Sequence, residues 1–394
     1  MAVEAARAVM LSAVTPLPPE EVALSASLGR VLAEDVLAIR PQPPFAASSM
    51  DGWAVRSADS AGARRIVGES AAGRGYDAEL LPGQAVRIFT GAPMPLGADA
   101  VVIQEAARRE GDVVIIGAAA AGACVRPEGL DFPAGARLLA AGSRLDPWRL
   151  ALAAAAGRDR LSVSRQPRVT IISTGDELAP PGAVPGAMQI FDSGGPAIAA
   201  LAELWGAGPV IRLRAQDKAA AITEAAAEAG GDVLITIGGA SVGDHDLVKP
   251  ALDALGLRMR VESLALRPGK PTWFGALADG RLVLGLPGNP ASAMVCAELF
   301  LRPLLLAAQG ADPAARRAWA RLAAPLNANG DREHWMRARL DHDDRGDTLA
   351  QPFGDQDSSL VTVFAEADAL LRRPAHAPAA AVGDGVEIVR LDRL

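Results

Sequence analysis

Lysine is nearly missing from this chain. Of its 39 basic residues only Lys218, Lys249 and Lys270 are lysines; the rest are arginine. Cysteine is represented by Cys124 and Cys296 alone, and histidine by His245, His334, His342 and His376. That supply excludes a Cys/His zinc cluster and a disulfide framework, so any metal should be a hard cation held by oxygen. No excess of positive charge exists either: 46 acidic residues against 39 basic ones give a formal charge of −7, and no basic block offsets it. Binding to nucleic acid by phosphate neutralisation is therefore not expected. The N-terminal stretch carries Glu4 and Arg7 and does not read as a secretory signal. The longest apolar run, Ala293 to Gln309, is interrupted by Glu298 and Arg302 and does not read as a membrane span. A cytoplasmic protein without membrane or nucleic-acid partners is the expectation.

What is present is 394 residues, half of them hydrophobic, enough for two to four domains at roughly one to two hundred residues each. An amphipathic opening, Val3 to Val14, precedes a turn-rich Thr15-Pro16-Leu17-Pro18-Pro19. Pro41, Pro43 and Pro44 then stiffen a connector. From Phe45 to Gly129 short β-rich runs alternate with Gly and Pro turns, as in a small β domain. Asp146 to Ala156 reads as a helix. The expected division is an N-terminal linking domain (1–44 and 130–166), a small β domain (45–129), an α/β domain (167–309) and a C-terminal β domain (310–394).

In the α/β block the punctuation is strand, loop, helix, repeated. Arg168 to Ile172, Pro209 to Arg214, Asp232 to Ile237 and Leu282 to Leu286 read as strands. Gly195 to Trp205, a segment from Asp217 to Glu228, Asp246 to Leu255 and Pro290 to Leu306 read as helices, with Asp217 and Asp246 as caps. The pattern predicts a doubly wound parallel sheet whose ligands bind at the carboxyl ends of the strands. Three loops lie there: Ser173 to Leu178, Gly238 to Asp246, and Pro287 to Ser292. Glycine-rich turns leading into helices expose backbone N–H groups and suit phosphate or another oxyanion.

Arg267-Pro268-Gly269-Lys270-Pro271 sets two cations three residues apart on a segment stiffened by two prolines. It is not a P-loop, which needs Ser or Thr after the lysine. Asp51, Asp131, Glu177, Asp217 and Asp246 form a complementary acidic set at loop positions. Mg²⁺ typically takes one or two carboxylates, with waters and substrate phosphate oxygens completing the shell.

Six motifs in order carry a resemblance over nearly the whole chain: Ser49-Met50-Asp51-Gly52, Thr90-Gly91-Ala92-Pro93, Ser173 to Leu178, Gly238-Gly239 through Ser241-Val242-Gly243 to Asp246, Pro268 to Pro271, and Leu286 to Pro290. In these the chain resembles the molybdopterin molybdenumtransferases, the family of the bacterial MoeA proteins and the gephyrin E domain. The resemblance implies a multidomain α/β plus β fold with a MogA-like central domain, an elongated homodimer and a C-terminal β-barrel-like domain. It implies insertion of molybdate into adenylylated molybdopterin with release of AMP, dependent on Mg²⁺, and a possible partnership with the molybdopterin adenylyltransferase.

By the same resemblance Arg267, Lys270, Pro271 and Ser292 form the molybdate pocket, with Arg337 and Ser358 reaching in from the C-terminal domain. Asp217 and Asp246 lie closest to Mg²⁺ and the pyrophosphate, and Asp51, Thr90, Asp131 and Glu177 match further functional positions. Trp53, His245 and Arg267 depart from the residues usual in relatives, and Gln356-Asp357-Ser358 lacks a usual glycine. No nucleophilic side chain is needed if the substrate's own thiolates attack molybdenum. Two other readings fit parts of the chain: an adenylyltransferase acting on molybdopterin, and a non-catalytic scaffold like the anchoring role of gephyrin.

Overall fold

The computed structural model describes residues 1–239, 247–314 and 316–392. It divides into two compact units: one of Met1–Glu20, Gly29–Ala33 and Val163–Leu394, and one of Glu21–Leu28 and Glu34–Ser162.

The first unit holds a central sheet of strands β1 (Val169–Thr174), β2 (Val210–Ala215), β3 (Val233–Ile237), β4 (Arg258–Val261), β6 (Trp273–Ala276) and β7 (Leu282–Leu286), in the order β2-β1-β3-β7-β6-β4; β5 (Leu266–Arg267) lies outside it. β1 and β3 are buried at every position, as strands covered by helices on both faces must be. Helices Gly194–Leu204 and Ala219–Glu228 follow β1 and β2 in the chain.

The sheet is mixed rather than wholly parallel. β2, β1, β3 and β7 run parallel, but β6 is antiparallel to β7 and β4 antiparallel to β6. The sequence offers no crossover helix between Val261 and Trp273, and a parallel return needs one. That stretch instead forms β5, which pairs in parallel with a strand of the C-terminal region, Leu266 opposite Glu333 and Arg267 opposite His334.

The C-terminal region is a closed five-stranded barrel. Its strands are β8 (Arg317–Leu322), β9 (Glu333–His342), β10 (Thr348–Pro352), β11 (Ala369–Arg373) and β12 (Gly385–Arg390). They run in the order β9-β10-β8-β12-β11, and β11 pairs back onto β9 to close the ring. The barrel core is small-residue rich, with Ala320, Ala338, Ala350 and Ala369 around Leu322, Leu371 and Ile388. Trp335 on β9 packs instead into the large core under the central sheet, with Phe300, Leu304 and the N-terminal helix Val3–Leu11. Barrel and sheet therefore share one core.

Pro290–Ala308 forms one apolar helical stretch, long enough by length and composition to cross a membrane, but 89% of its apolar window is buried inside the fold. Midway, Ala297–Leu301 widens into a π-helical turn.

The second unit is built on a six-stranded sheet in the order Ala100–Ile103, Gly52–Val55, Gln84–Ile88, Gly62–Ser70, Val113–Ile116, Ala107–Glu110. Gly52 is dictated by packing, since a Cβ there would lie 2.0 Å from the Val102 carbonyl oxygen. Helix Pro147–Ala155 is capped by Asp146, whose carboxylate accepts from the Arg149 N–H at 2.8 Å.

Candidate functional site

The three loops at the carboxyl ends of β1, β3 and β7 meet in one cavity of about 870 Å³. Thr174, Gly175 and Glu177 enter from the first loop, Gly238 and Gly239 from the second, and Pro287 to Pro290 with Ser292 from the third. The segment Arg267 to Pro271 forms another wall, and Arg332 with Gln356 to Ser359 closes it from the barrel side. Arg267 and Lys270 are exposed while Gly269 between them is buried, so the loop turns its backbone inward and its two cations outward.

Opposing charge lies at the mouth of β1 and β2. The Asp217 carboxyl is pushed above the usual range, first by burial and then by the nearby charges of Glu177 and Asp176. Asp217 does not cap the following helix as its sequence position suggested: that helix begins at Ala219 with Lys218 at the N-cap and no side-chain cap. Its own N–H instead donates to the Asp176 carboxylate at 3.3 Å. Carboxylates held together in this way repel one another, and a divalent cation would relieve the repulsion; two carboxylate oxygens with substrate phosphate match what Mg²⁺ accepts. No group of three or more His, Cys, Asp or Glu residues arranged for a metal occurs among the described residues. Asp246, the other carboxylate expected there, lies outside the described residues, as do Ser241 and His245.

Ser292 is buried on helix Pro290–Cys296 and faces the cavity, as does Pro271. Ser358 is a lining residue, tied down twice: its hydroxyl oxygen accepts from the Asn289 side-chain amide at 2.8 Å, and its carbonyl from the Ala291 N–H at 3.1 Å. Arg337 differs from expectation. It is fully buried and is not among the described lining residues. Its Nη2 donates to the Asp357 carbonyl at 2.9 Å, while Nε and Nη1 have no partner among the described residues. Burial pushes its pKa down, with Asp355 and Asp357 opposing that fall, and the guanidinium sits against the Asp357 backbone.

Asp51, Thr90 and Asp131 belong to the second unit and do not line this cavity. Thr90 donates to one Asp51 oxygen twice, from its N–H at 2.8 Å and its hydroxyl at 2.9 Å. These bonds, aided by Arg87, hold the Asp51 carboxyl below the usual carboxylate range. Arg87 in turn lies over the rings of Trp53 and Phe89 and donates to the Gly52 carbonyl. Asp131 lines a separate cavity of about 480 Å³ with Arg40, Gln42, Phe45 and Arg126.

Arg332, Ile190 and Phe191 also line the main cavity. Nothing in their local pattern marks them; only the closure of the barrel and the short pairing of Leu178–Ala179 with Ile190–Phe191 bring them there.

Comparison with known proteins accounts for this layout. Residues 1–157 match the MoeA N-terminal region (domain I and II), 170–307 the probable molybdopterin binding domain, and 319–391 the MoeA C-terminal region (domain IV). Molybdopterin molybdenumtransferase 2 of Mycobacterium tuberculosis is 36% identical over 387 residues, covering 94% of each chain. The chain belongs to the molybdopterin molybdenumtransferase family. Within that family, the Bacillus subtilis molybdopterin molybdenumtransferase is 34% identical over 93% of this chain and 92% of its own. The crystal structure of the molybdopterin biosynthesis MoeA protein from Pyrococcus horikosii superposes with a TM-score of 0.85 at 32% identity, covering all of both chains. Membership makes this chain a transferase of molybdenum cofactor biosynthesis, and the MogA-like central domain and the C-terminal barrel are family features.

Proposed function

We propose that this transferase inserts molybdate into adenylylated molybdopterin and releases AMP in a Mg²⁺-dependent reaction. The observation that carries the reading is the single cavity that sets the exposed pair Arg267 and Lys270 against the glycine loops of the sheet and the Asp217–Glu177 carboxylates. Such a substrate brings a tetrahedral oxyanion, a phosphoanhydride and a divalent cation into one place, and an acidic protein needs local cations to hold the first of them.

In this reading Arg267, Lys270, Pro271 and Ser292 hold molybdate. Ser358, on the barrel side, is positioned by Asn289 of the third loop, and Arg337 supplies positive charge behind it. Lys270 acts as a point charge and Arg267 as a planar fork, so the two make different contacts with the oxyanion. Two sulfur–molybdenum bonds form as one molybdenum–oxygen bond breaks, the departing oxide leaving as water with the two thiol protons. Asp217, Glu177 and Asp246 would hold Mg²⁺, which supplies charge neutralisation at the phosphoanhydride; water cleaves that anhydride to free AMP. Asp51, Thr90 and Asp131 are further functional residues of the reaction, and the protein is a homodimer. The four-part division at 44/45, 129/130, 166/167 and 309/310, a cytoplasmic location and delivery of substrate by the molybdopterin adenylyltransferase complete the proposal.

Incubation of the purified protein with adenylylated molybdopterin, molybdate and Mg²⁺ tests the activity. AMP appearing only when molybdate is present supports it; ATP consumption in a parallel incubation with ATP and molybdopterin points instead to the adenylyltransferase, and neither outcome to a scaffold. Light scattering at micromolar concentration tests the dimer, and a clean monomer mass counts against it.

A further inference from the structure

The two cations of the Arg267 to Pro271 loop are held in place by something outside the loop. Gly269, at its centre, is buried with φ +114°. A Cβ at that position would lie 2.3 Å from the Cys296 sulfur and 3.0 Å from Leu266 Cδ2. The loop backbone therefore rests directly on the Cys296 side chain, and only glycine can sit so close.

The same sulfur has a second contact. It accepts a hydrogen bond at 3.0 Å from the hydroxyl of Thr272, a fully buried residue whose N–H bonds the Gly269 carbonyl at 3.0 Å. On the other side, the Lys270 carbonyl accepts from the Leu264 N–H at 2.9 Å. The turn is thus closed at both ends over one buried thiol.

Cys296 also lies four residues after Ser292 on helix Pro290–Cys296, so the two side chains share a helix face. Ser292 reaches the cavity and Cys296 supports the cation loop. Full burial pushes the Cys296 thiol up to about 12, so it stays neutral and contributes shape rather than charge.

We infer that Cys296 is a positioning residue for the oxyanion pocket, the seat that fixes the spacing between Arg267, Lys270 and Ser292. This rests on the molybdate reading given above. A side chain of different size at 296 moves the loop relative to Ser292 and alters oxyanion affinity, without touching substrate itself. Valine keeps one γ atom near the sulfur position, adds a second and removes the acceptor for Thr272. Serine keeps the acceptor in a smaller atom and is the conservative control.

The experiment measures AMP release against molybdate concentration, with molybdate binding to the full-length protein followed by calorimetry. Cys296→Val should raise the molybdate concentration for half-saturation about fivefold or more. Its kcat at saturating molybdate and its KM for adenylylated molybdopterin should stay within about twofold of wild type, whereas general loosening of the core would move all three. Cys296→Ser should restore the molybdate requirement to within about twofold. If Cys296→Val does not fold, Cys296→Ala carries the test, with an expected rise of about threefold. Gly269→Ala should cost less in the Cys296→Ala background than in wild type, because the atom it meets has gone.

A folded valine or alanine variant with the wild-type molybdate requirement, in a protein that does bind molybdate, overturns the seat alone. Wild-type protein that neither binds molybdate nor needs it for AMP release overturns the function and this inference together.

Discussion

Glu298 gives the sharpest test of how the central sheet and barrel are joined. It sits in the π-helical turn, 8% exposed, with Arg302 at 3.7 Å. Arg302 also approaches Asp392, just beyond the last barrel strand, at 3.9 Å. Burial pushes the Glu298 carboxyl from its ordinary 4.5 up to about 7, Arg302 opposing that rise and Asp392 adding to it. In the unfolded chain the proton leaves near 4.5; in the folded protein it leaves near 7. Stability therefore falls as pH rises through that window, and above it the loss is complete. At about 1.36 kcal/mol per pH unit the loss is at most about 3 kcal/mol, and relaxation around the buried pair makes about 1–3 kcal/mol the expected range.

Glu298→Gln removes the titration and keeps the size. Its melting temperature should exceed wild type by about 2–6 °C at pH 8, on the usual scale for a unit of this length, and equal it within about 1 °C at pH 5. Calorimetric or fluorescence melts across pH 5 to 8 provide the measurement. A glutamine variant that melts lower than wild type at pH 8 would refute the reasoning, because it would mean that the ionised Glu298–Arg302 pair stabilises the fold outright.

Other expectations concern the site and the second unit. Asp217→Asn should raise thermal stability slightly, since burial and the charges of Glu177 and Asp176 disfavour the ionised form, yet lower AMP release at limiting Mg²⁺; unchanged turnover there would remove Asp217 from the metal reading. Arg267→Lys should keep most activity. Gly52→Ala should destabilise the second unit by about 2 kcal/mol or more, because its Cβ would meet the Val102 carbonyl oxygen at 2.0 Å; thermal melts that match wild type would count against that packing.

Much of the site was legible because its loops are spelled by residues with few conformational options. Gly238-Gly239, Pro287-Gly288-Asn289-Pro290 and Pro268-Gly269-Lys270-Pro271 announce turns after apolar strands, and the sheet topology then has to bring the first two to one edge. The misreadings arise where tertiary contact outweighs local pattern. Asp217 has a good capping side chain, but its N–H is engaged by Asp176 and the helix starts two residues later. The stretch between Val261 and Trp273 adds nothing to the central sheet; its residues Leu266 and Arg267 pair with β9. By resemblance Arg337 reaches into the pocket, but it is buried against the Asp357 carbonyl and does not line the cavity, because β9 lies on the large core. The seat beneath Gly269 has no sequence signature, since Cys296 is separated from it by 27 positions and joined only by folding.

The central claim is that the Arg267 to Pro271 loop holds molybdate, and titrating AMP release with molybdate in Lys270→Ala tests it most directly. Losing a charged hydrogen bond worth roughly 1.5–3 kcal/mol should raise the molybdate requirement by about tenfold to a hundredfold. A Lys270→Ala protein that titrates like wild type would make this loop a solvated turn and contradict the account.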